Sequence, residues 1–247
     1  MIIGINAIGM SIGSEADVSG ILSQLRADRL QVEPDHQSGD GAPSKSAWAI
    51  SNLVLNIDRD EQFSARRAAP KVYEAGITHI CLQSRDAPSL KAELEASNIR
   101  FNADLVTLGN GTWYAYGNTP SGFVVEVESA EYAPEDTPKA WLSHVALCTH
   151  DLENLASFYA KLTGRPWFGG YRVKQNLAND MITGVADVDL KVCWVACGNI
   201  MLEFWQYLNP ETQRRPANHD QKNAGLNTLT FEVEDLRSEL PHLVDAG

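Results

Sequence analysis

The sequence predicts an α+β protein assembled from repeated βαβββ modules. Three observations carry this expectation. Four segments share one layout, an alternating strand, a polar turn and an amphipathic helix. Matching residues in the two halves of the chain keep nearly constant spacing. The middle two helices are followed by further alternating stretches bounded by turn residues.

The first segment is 5–10 (INAIGM), with a helical stretch around 18–25. The second is 76–82 (GITHICL), then 89–97, and the third is 142–147 (LSHVAL), then 151–162. The fourth is 225–231 (GLNTLTF), then 235–246. Strand-like stretches follow at 104–108, 112–116 and 123–128 in the second unit, punctuated by Asn110-Gly111 and Pro120-Ser121-Gly122. In the third they are 171–175, 189–197 and 199–207. The fourth unit stops at Gly247, straight after its helix, without its closing strands.

The larger repeat pairs the first segment with the third and the second with the fourth. Ala7 and His144 lie 137 residues apart, and Gly76 and Gly225 lie 149 apart. Between these anchors, 52–56 matches 199–203 at an offset of 147, and Arg66-Arg67 matches Arg214-Arg215 at 148. The expected organisation is a first pair at 1–131, with modules at about 3–58 and 76–128, and a second pair at 140–247. That second pair holds a module at about 141–208 and an incomplete one at 224–247. The Pro- and acid-rich stretch 129–139 reads as the boundary.

The chain of 247 residues carries 20 Lys and Arg against 32 Asp and Glu, a formal charge of -12. Phosphate-backbone binding needs clustered cations, so a nucleic-acid partner is not expected. With 44% hydrophobic and 21% charged residues the composition is that of a globular domain. No apolar run reaches membrane-spanning length, and the N-terminus has neither a basic region nor a cleavage pattern, so a cytoplasmic protein without a membrane partner is expected. Cys193 and Cys197 lack a second Cys/His pair nearby and read as buried free thiols in a reducing compartment.

Alternation along a strand puts residues i and i+2 on one face. His79, Cys81 and Gln83 therefore share a face, as do His144, Ala146 and Cys148. Glu126 and Glu128 face one way with Val125 and Val127 opposite; Glu203 sits with Met201 and Trp205, with Leu202 and Phe204 opposite. Each middle unit thus places one His on its first strand and one Glu on its last. A carboxylate set in Val-Val-Glu-Val or Met-Leu-Glu-Phe must be paired or bound to a cation once buried. His36, His150, His219 and His242 read as solvated, and the two Arg pairs as loop charge, although the fork of an Arg suits a carboxylate. Trp205, Tyr207, Phe158 and Tyr159 read as core or pocket wall rather than catalytic groups.

The stretches 76–82, 116–126 (YGNTPSGFVVE) and 142–164 resemble the vicinal oxygen chelate superfamily, which includes glyoxalase I, epimerases, extradiol dioxygenases and the fosfomycin and bleomycin resistance proteins. The resemblance implies repeated βαβββ modules forming two half-open barrels of mixed sheet with outer helices. It also implies a divalent metal held by the first and last strands of paired modules. Carried onto this chain, the first module offers Ala7 and Asn56, the second His79 and Glu126, the third His144 and Glu203, and the fourth Thr228. Pairing modules in sequence order leaves at most two ligands in each barrel. Pairing the second with the third gathers His79, Glu126, His144 and Glu203, a set suited to Zn, Fe, Mn, Co or Ni. The implied function is a metal-dependent lyase or isomerase acting on a small oxygenated molecule through an enolate-type intermediate, with Glu126 or Glu203 as general base. An Fe(II) extradiol dioxygenase and a non-catalytic binding protein are the alternatives. Exposed sheet edges make a homodimer an expected assembly.

Overall fold

The strand that opens each of the four repeated segments is present, at 2–12, 76–84, 141–148 and 225–233, whereas strands at 28–30, 44–49 and 100–101 have no counterpart in the sequence reading. The computed structural model describes residues 2–31, 44–60, 71–131, 139–215 and 224–246. Most of the boundary at 129–139 lies outside these residues, as do Arg66-Arg67, His36, His219 and Gly247, together with the side chain of His242.

The first module comprises β1 (Ile2–Ile12), a single 3-10 turn (Glu15–Asp17), α1 (Ser19–Gln24), β2 (Asp28–Leu30), β3 (Ser44–Ala49) and β4 (Val54–Arg59). The second comprises β5 (Gly76–Ser84), α2 (Ala87–Ala96), β6 (Arg100–Phe101), β7 (Val106–Thr107), β8 (Trp113–Asn118) and β9 (Val124–Ser129). The third comprises β10 (Trp141–Cys148), α3 (Leu152–Thr163), β11 (Trp167–Lys174), α4 (Leu177–Thr183), β12 (Asp189–Cys197) and β13 (Ile200–Asn209). β14 (Gly225–Val233) and α5 (Leu236–Ala246) follow.

Helix starts follow the caps written in the sequence. Asp151 accepts from the Asn154 amide at 3.1 Å to open α3, and Asp86 does the same for Ser89 at 3.1 Å to open α2. The sequence reading left 176–188 without structure, whereas α4 forms there. Asn176 caps it by accepting from the Ala178 amide at 2.9 Å.

Nine strands form one sheet in the order β11-β12-β13-β10-β5-β9-β8-β6, with β7 also on β8. The other sheet has the order β14-β1-β4-β3-β2. Within modules β5 runs parallel to β9, β10 to β13 and β1 to β4. The junctions between modules, β5 with β10 and β1 with β14, are antiparallel. The larger sheet therefore joins the second module to the third, and the smaller joins the first to β14. The halves 1–131 and 140–247 each contribute strands to both sheets. These are mixed, half-open barrels rather than closed ones, with helices outside.

One apolar cluster runs between the outer faces of both sheets. It takes Ile21 and Leu22 from α1, Leu90 and Leu94 from α2, Leu152 and Ala156 from α3, and Ile80, Val125, Val145, Leu202 and Phe204 from the strands. Phe204 faces the helix layer as its alternation predicts, stacking on Tyr159 of α3 at 5.2 Å. All four cysteines are buried free thiols.

The barrels also meet at their hairpins. Asn199 Nδ2 donates to Asn52 O at 2.6 Å and to Ile5 O at 2.7 Å. Asn52 Nδ2 answers by donating to Leu142 O at 2.9 Å and to Asn199 O at 3.4 Å. The two asparagines are the pair matched at an offset of 147 in the sequence. Beside them a Cβ at Gly198 would stand 2.0 Å from Ile3 O, so only glycine permits this approach. Arg215, read from the sequence as loop charge, instead donates from its guanidinium to Ala75 O and, at 3.0 Å, to Ile77 O, clamping the start of β5.

Candidate metal centre

The junction of β5 with β10 brings the two middle modules face to face. In its register Ala146 lies opposite His79 and His144 lies opposite Cys81. Outward from the junction, Glu203 pairs with Ala146 on β13 and Glu126 pairs with Cys81 on β9. All four residues singled out in the sequence thus share the inner face of one half-barrel.

Their side chains converge. His144 Nε2 is 2.9 Å from Glu126 Oε2 and 3.3 Å from Glu203 Oε2. His79 Nε2 is 3.4 Å from Glu126 Oε2 and 3.3 Å from Glu203 Oε2. One ligand atom from each of the four lies within 4.8 Å of the others. The residues are between 2% and 7% exposed, so water does not screen the two carboxylates from each other. Cys81, Glu128 and His144 form a second such group that shares His144.

Protonation states follow from this burial. For both imidazoles burial works against the charged form, but the adjacent carboxylates outweigh it. His79 is raised above its ordinary value, and His144 well above. Burial pushes the Cys81 thiol well up, so at neutral pH it is uncharged and the carboxylates carry the shift at His144. For Glu126 and Glu203 burial favours the neutral acid, yet the imidazoles beside them hold both below the usual carboxylate range.

Surrounding groups fix the orientation of the cluster. Thr78 Oγ1 lies 3.2 Å from His79 Nδ1 and donates to Ala146 O at 3.3 Å. With its proton committed to that carbonyl, Thr78 accepts from Nδ1–H, which leaves the Nε2 lone pair turned inward. Trp194 Nε1 donates to Glu203 Oε1 at 3.0 Å, holding that carboxylate by its other oxygen. The buried Tyr116 hydroxyl lies 3.3 Å from His79 Nε2. α4 crosses from the third module to the second: Ile182 packs with Tyr116 and Val124, and Asn102 Nδ2 donates to Ile182 O at 3.0 Å.

From the sequence Thr78, Tyr116 and Trp194 had no role at the site, and α4 was not found. Trp194 was within reach, because the tight turn at Gly198-Asn199 sets it opposite Glu203 in the β12–β13 register. Tyr116 likewise pairs with Glu126 across the hairpin closed at 119–122. At the other barrel, Ala7, Asn56 and Thr228 bring no comparable set of donors together among the described residues.

The donors fit a cation. Glu126 Oε2, His144 Nε2 and Glu203 Oε2 are buried without a hydrogen-bond partner, although they face one another. Two carboxylate oxygens aimed at one buried point need positive charge beside them, which protonated imidazoles supply without a metal and a bound cation supplies once those protons leave.

Comparison of the sequence with protein-family models and with curated proteins finds no match. Comparison of the structure does. Glyoxalase I from Zea mays is similar with a TM-score of 0.65 at 13% identity, over 98% of this chain and 79% of that one. A structure from Bacillus subtilis described as a candidate dioxygenase is similar with a TM-score of 0.60 at 14% identity, over 100% of this chain and 76% of that one. At such identities the likeness is one of fold, and the fold is the one the motifs resemble.

Proposed function

We propose that the chain is a divalent-metal-dependent enzyme that moves a proton on a small oxygenated substrate, as a lyase or isomerase. Convergence of two imidazoles and two carboxylates on one buried point, one ligand atom from each within 4.8 Å of the others, carries this reading. His79, Glu126, His144 and Glu203 would hold the ion, and the mixed N/O set suits Zn, Fe, Mn, Co or Ni. When bound, such an ion supplies Lewis-acid polarisation of substrate oxygens.

The chain's own residues divide the remaining work. Both carboxylates face the two imidazoles through Oε2, and Glu203 alone is also anchored through Oε1 by Trp194. Glu126 is therefore the carboxylate better placed to take a proton from substrate carbon and return it. The inner face of the half-barrel, covered by α4, limits water at that step.

Elemental analysis of purified protein is the test. Wild type is expected to hold one divalent ion per chain, and His144→Gln and Glu203→Gln each to lose it while remaining folded by circular dichroism. Retention of the ion by both variants would overturn the site. Glu126→Gln, with metal retained and turnover lost, would assign the base. Oxygen consumption by an iron-loaded protein would instead favour ring cleavage.

A further inference from the structure

Cys81 and Glu128 stand beside the four-donor cluster without belonging to it. The β5–β9 register sets Cys81 beside Glu126 and Gln83 beside Glu128. Across the module junction Cys81 lies opposite His144. Its thiol is in hydrogen-bond contact with the His144 imidazole and donates to Glu128 Oε2 at 3.5 Å. One donor atom from each of Cys81, Glu128 and His144 lies within 4.8 Å of the others.

Neighbouring groups hold this second set in place. Gln83 Nε2 donates to Glu128 Oε2 at 2.8 Å, and Trp141 Nε1 donates to Gln83 Oε1 at 3.1 Å. Such a chain steadies the carboxylate from behind, as the outer partners of metal ligands do. Cys81 is fully buried, whereas Glu128 and Gln83 are half-buried, so the set meets solvent on the Glu128 side.

Sulfur distinguishes this set from the first. Thiolate, imidazole and carboxylate together suit Zn(II) and other thiophilic ions, while Mn(II) prefers oxygen donors. Around a tetrahedral ion of this class the donors stand about 3.3–3.8 Å apart, a spacing that small side-chain rotations reach here. The other cysteines lack this company: Cys148 contacts Thr212, and Cys193 and Cys197 lie in the apolar core.

We propose that Cys81, Glu128 and His144 form a second ion position, selective for thiophilic divalent ions, which shares His144 with the four-donor cluster. On binding, a sulfur–metal bond forms as the S–H bond breaks, and the proton leaves to solvent. The position needs neither His79 nor Glu203, so it stands whether or not the four donors hold a metal.

Titration of metal-stripped protein with Cd(II) tests this, read by the ultraviolet charge-transfer band of a cadmium–thiolate bond. Wild type is expected to develop the band, and Cys81→Ser to lose it. Glu128→Gln and His144→Gln should each raise the Cd(II) concentration for half-formation about 10-fold or more. Glu203→Gln, which disables the four-donor cluster, should shift it by less than about 2-fold. Absence of the band in wild type, its survival in Cys81→Ser, or a titration unmoved by Glu128→Gln or by His144→Gln overturns the proposal. Loss of the band in Glu203→Gln would join Cys81 to the four-donor cluster and overturn a separate position. Glu128→Gln, at a half-buried site, keeps the test valid if Cys81→Ser does not fold.

Discussion

Ala146 lies opposite His79 on the junction of the two modules and beside Glu203, and Cys81 lies opposite His144 and beside Glu126. A small side chain thus separates each imidazole from the carboxylate on the far strand, and His79 reaches Glu203 over Ala146. Ala146→Leu would fill that space without removing a donor. It is expected to abolish metal binding in elemental analysis while the far-ultraviolet spectrum stays unchanged; retained metal would refute the packing argument. The protonation states predict a second behaviour, in metal-stripped protein. The raised imidazoles stabilise the fold fully below their ordinary value of 6.5, and that contribution is lost as pH rises through their folded values. The depressed carboxylates stabilise it above 4.5, and that contribution is lost as pH falls through theirs. Thermal stability of the stripped protein should therefore be greatest between pH 4.5 and 6.5 and lower at pH 8.5. Metal affinity should run the other way, rising with pH as protons leave the imidazoles. The four donors were legible because strand alternation fixes faces. Thr78 was not: on β5 it alternates away from His79, and only the local path of the backbone brings its hydroxyl to Nδ1.

Among the elements, α4 is the one that sequence periodicity did not reveal. Its seven residues are too few to show a helical period, and its caps, Asn176 and Gly184, look like those of any polar turn. Its docking depends on Gly184, whose φ is +70°, where a Cβ would stand 2.8 Å from the Asn102 side chain. Asn102 is the residue that ties α4 to the second module. Gly184→Ala is expected to cost at least about 1–2 kcal/mol from the left-handed backbone alone. The fall should appear in chemical denaturation, with greater protease sensitivity across 177–183. A change below about 0.5 kcal/mol would show that α4 does not depend on this contact. The long strands fared better in the sequence reading, since the strand-like, largely apolar stretch 189–197 coincides with β12.

At the scale of the molecule, the pairing of modules could be argued from the sequence only through its donors, because hydrophobic periodicity says nothing about which copies share a sheet. The structure joins neighbours across the middle of the chain and brings its two ends together. A protease site inserted between 131 and 139 tests this arrangement. After cleavage the halves should elute as one species and keep the donor cluster, since each contributes one His and one Glu; separation on gel filtration would contradict it. The Asn52–Asn199 bonds and the Gly198 contact add to that cohesion. The same interleaving has a consequence during synthesis. β1 pairs with β14, which leaves the ribosome more than 200 residues later. At about 5–20 residues per second, one edge of β1 waits ~10–40 s for its partner. An apolar strand left open for so long invites a holding chaperone, and slowing translation late in the message should lower the yield of native protein.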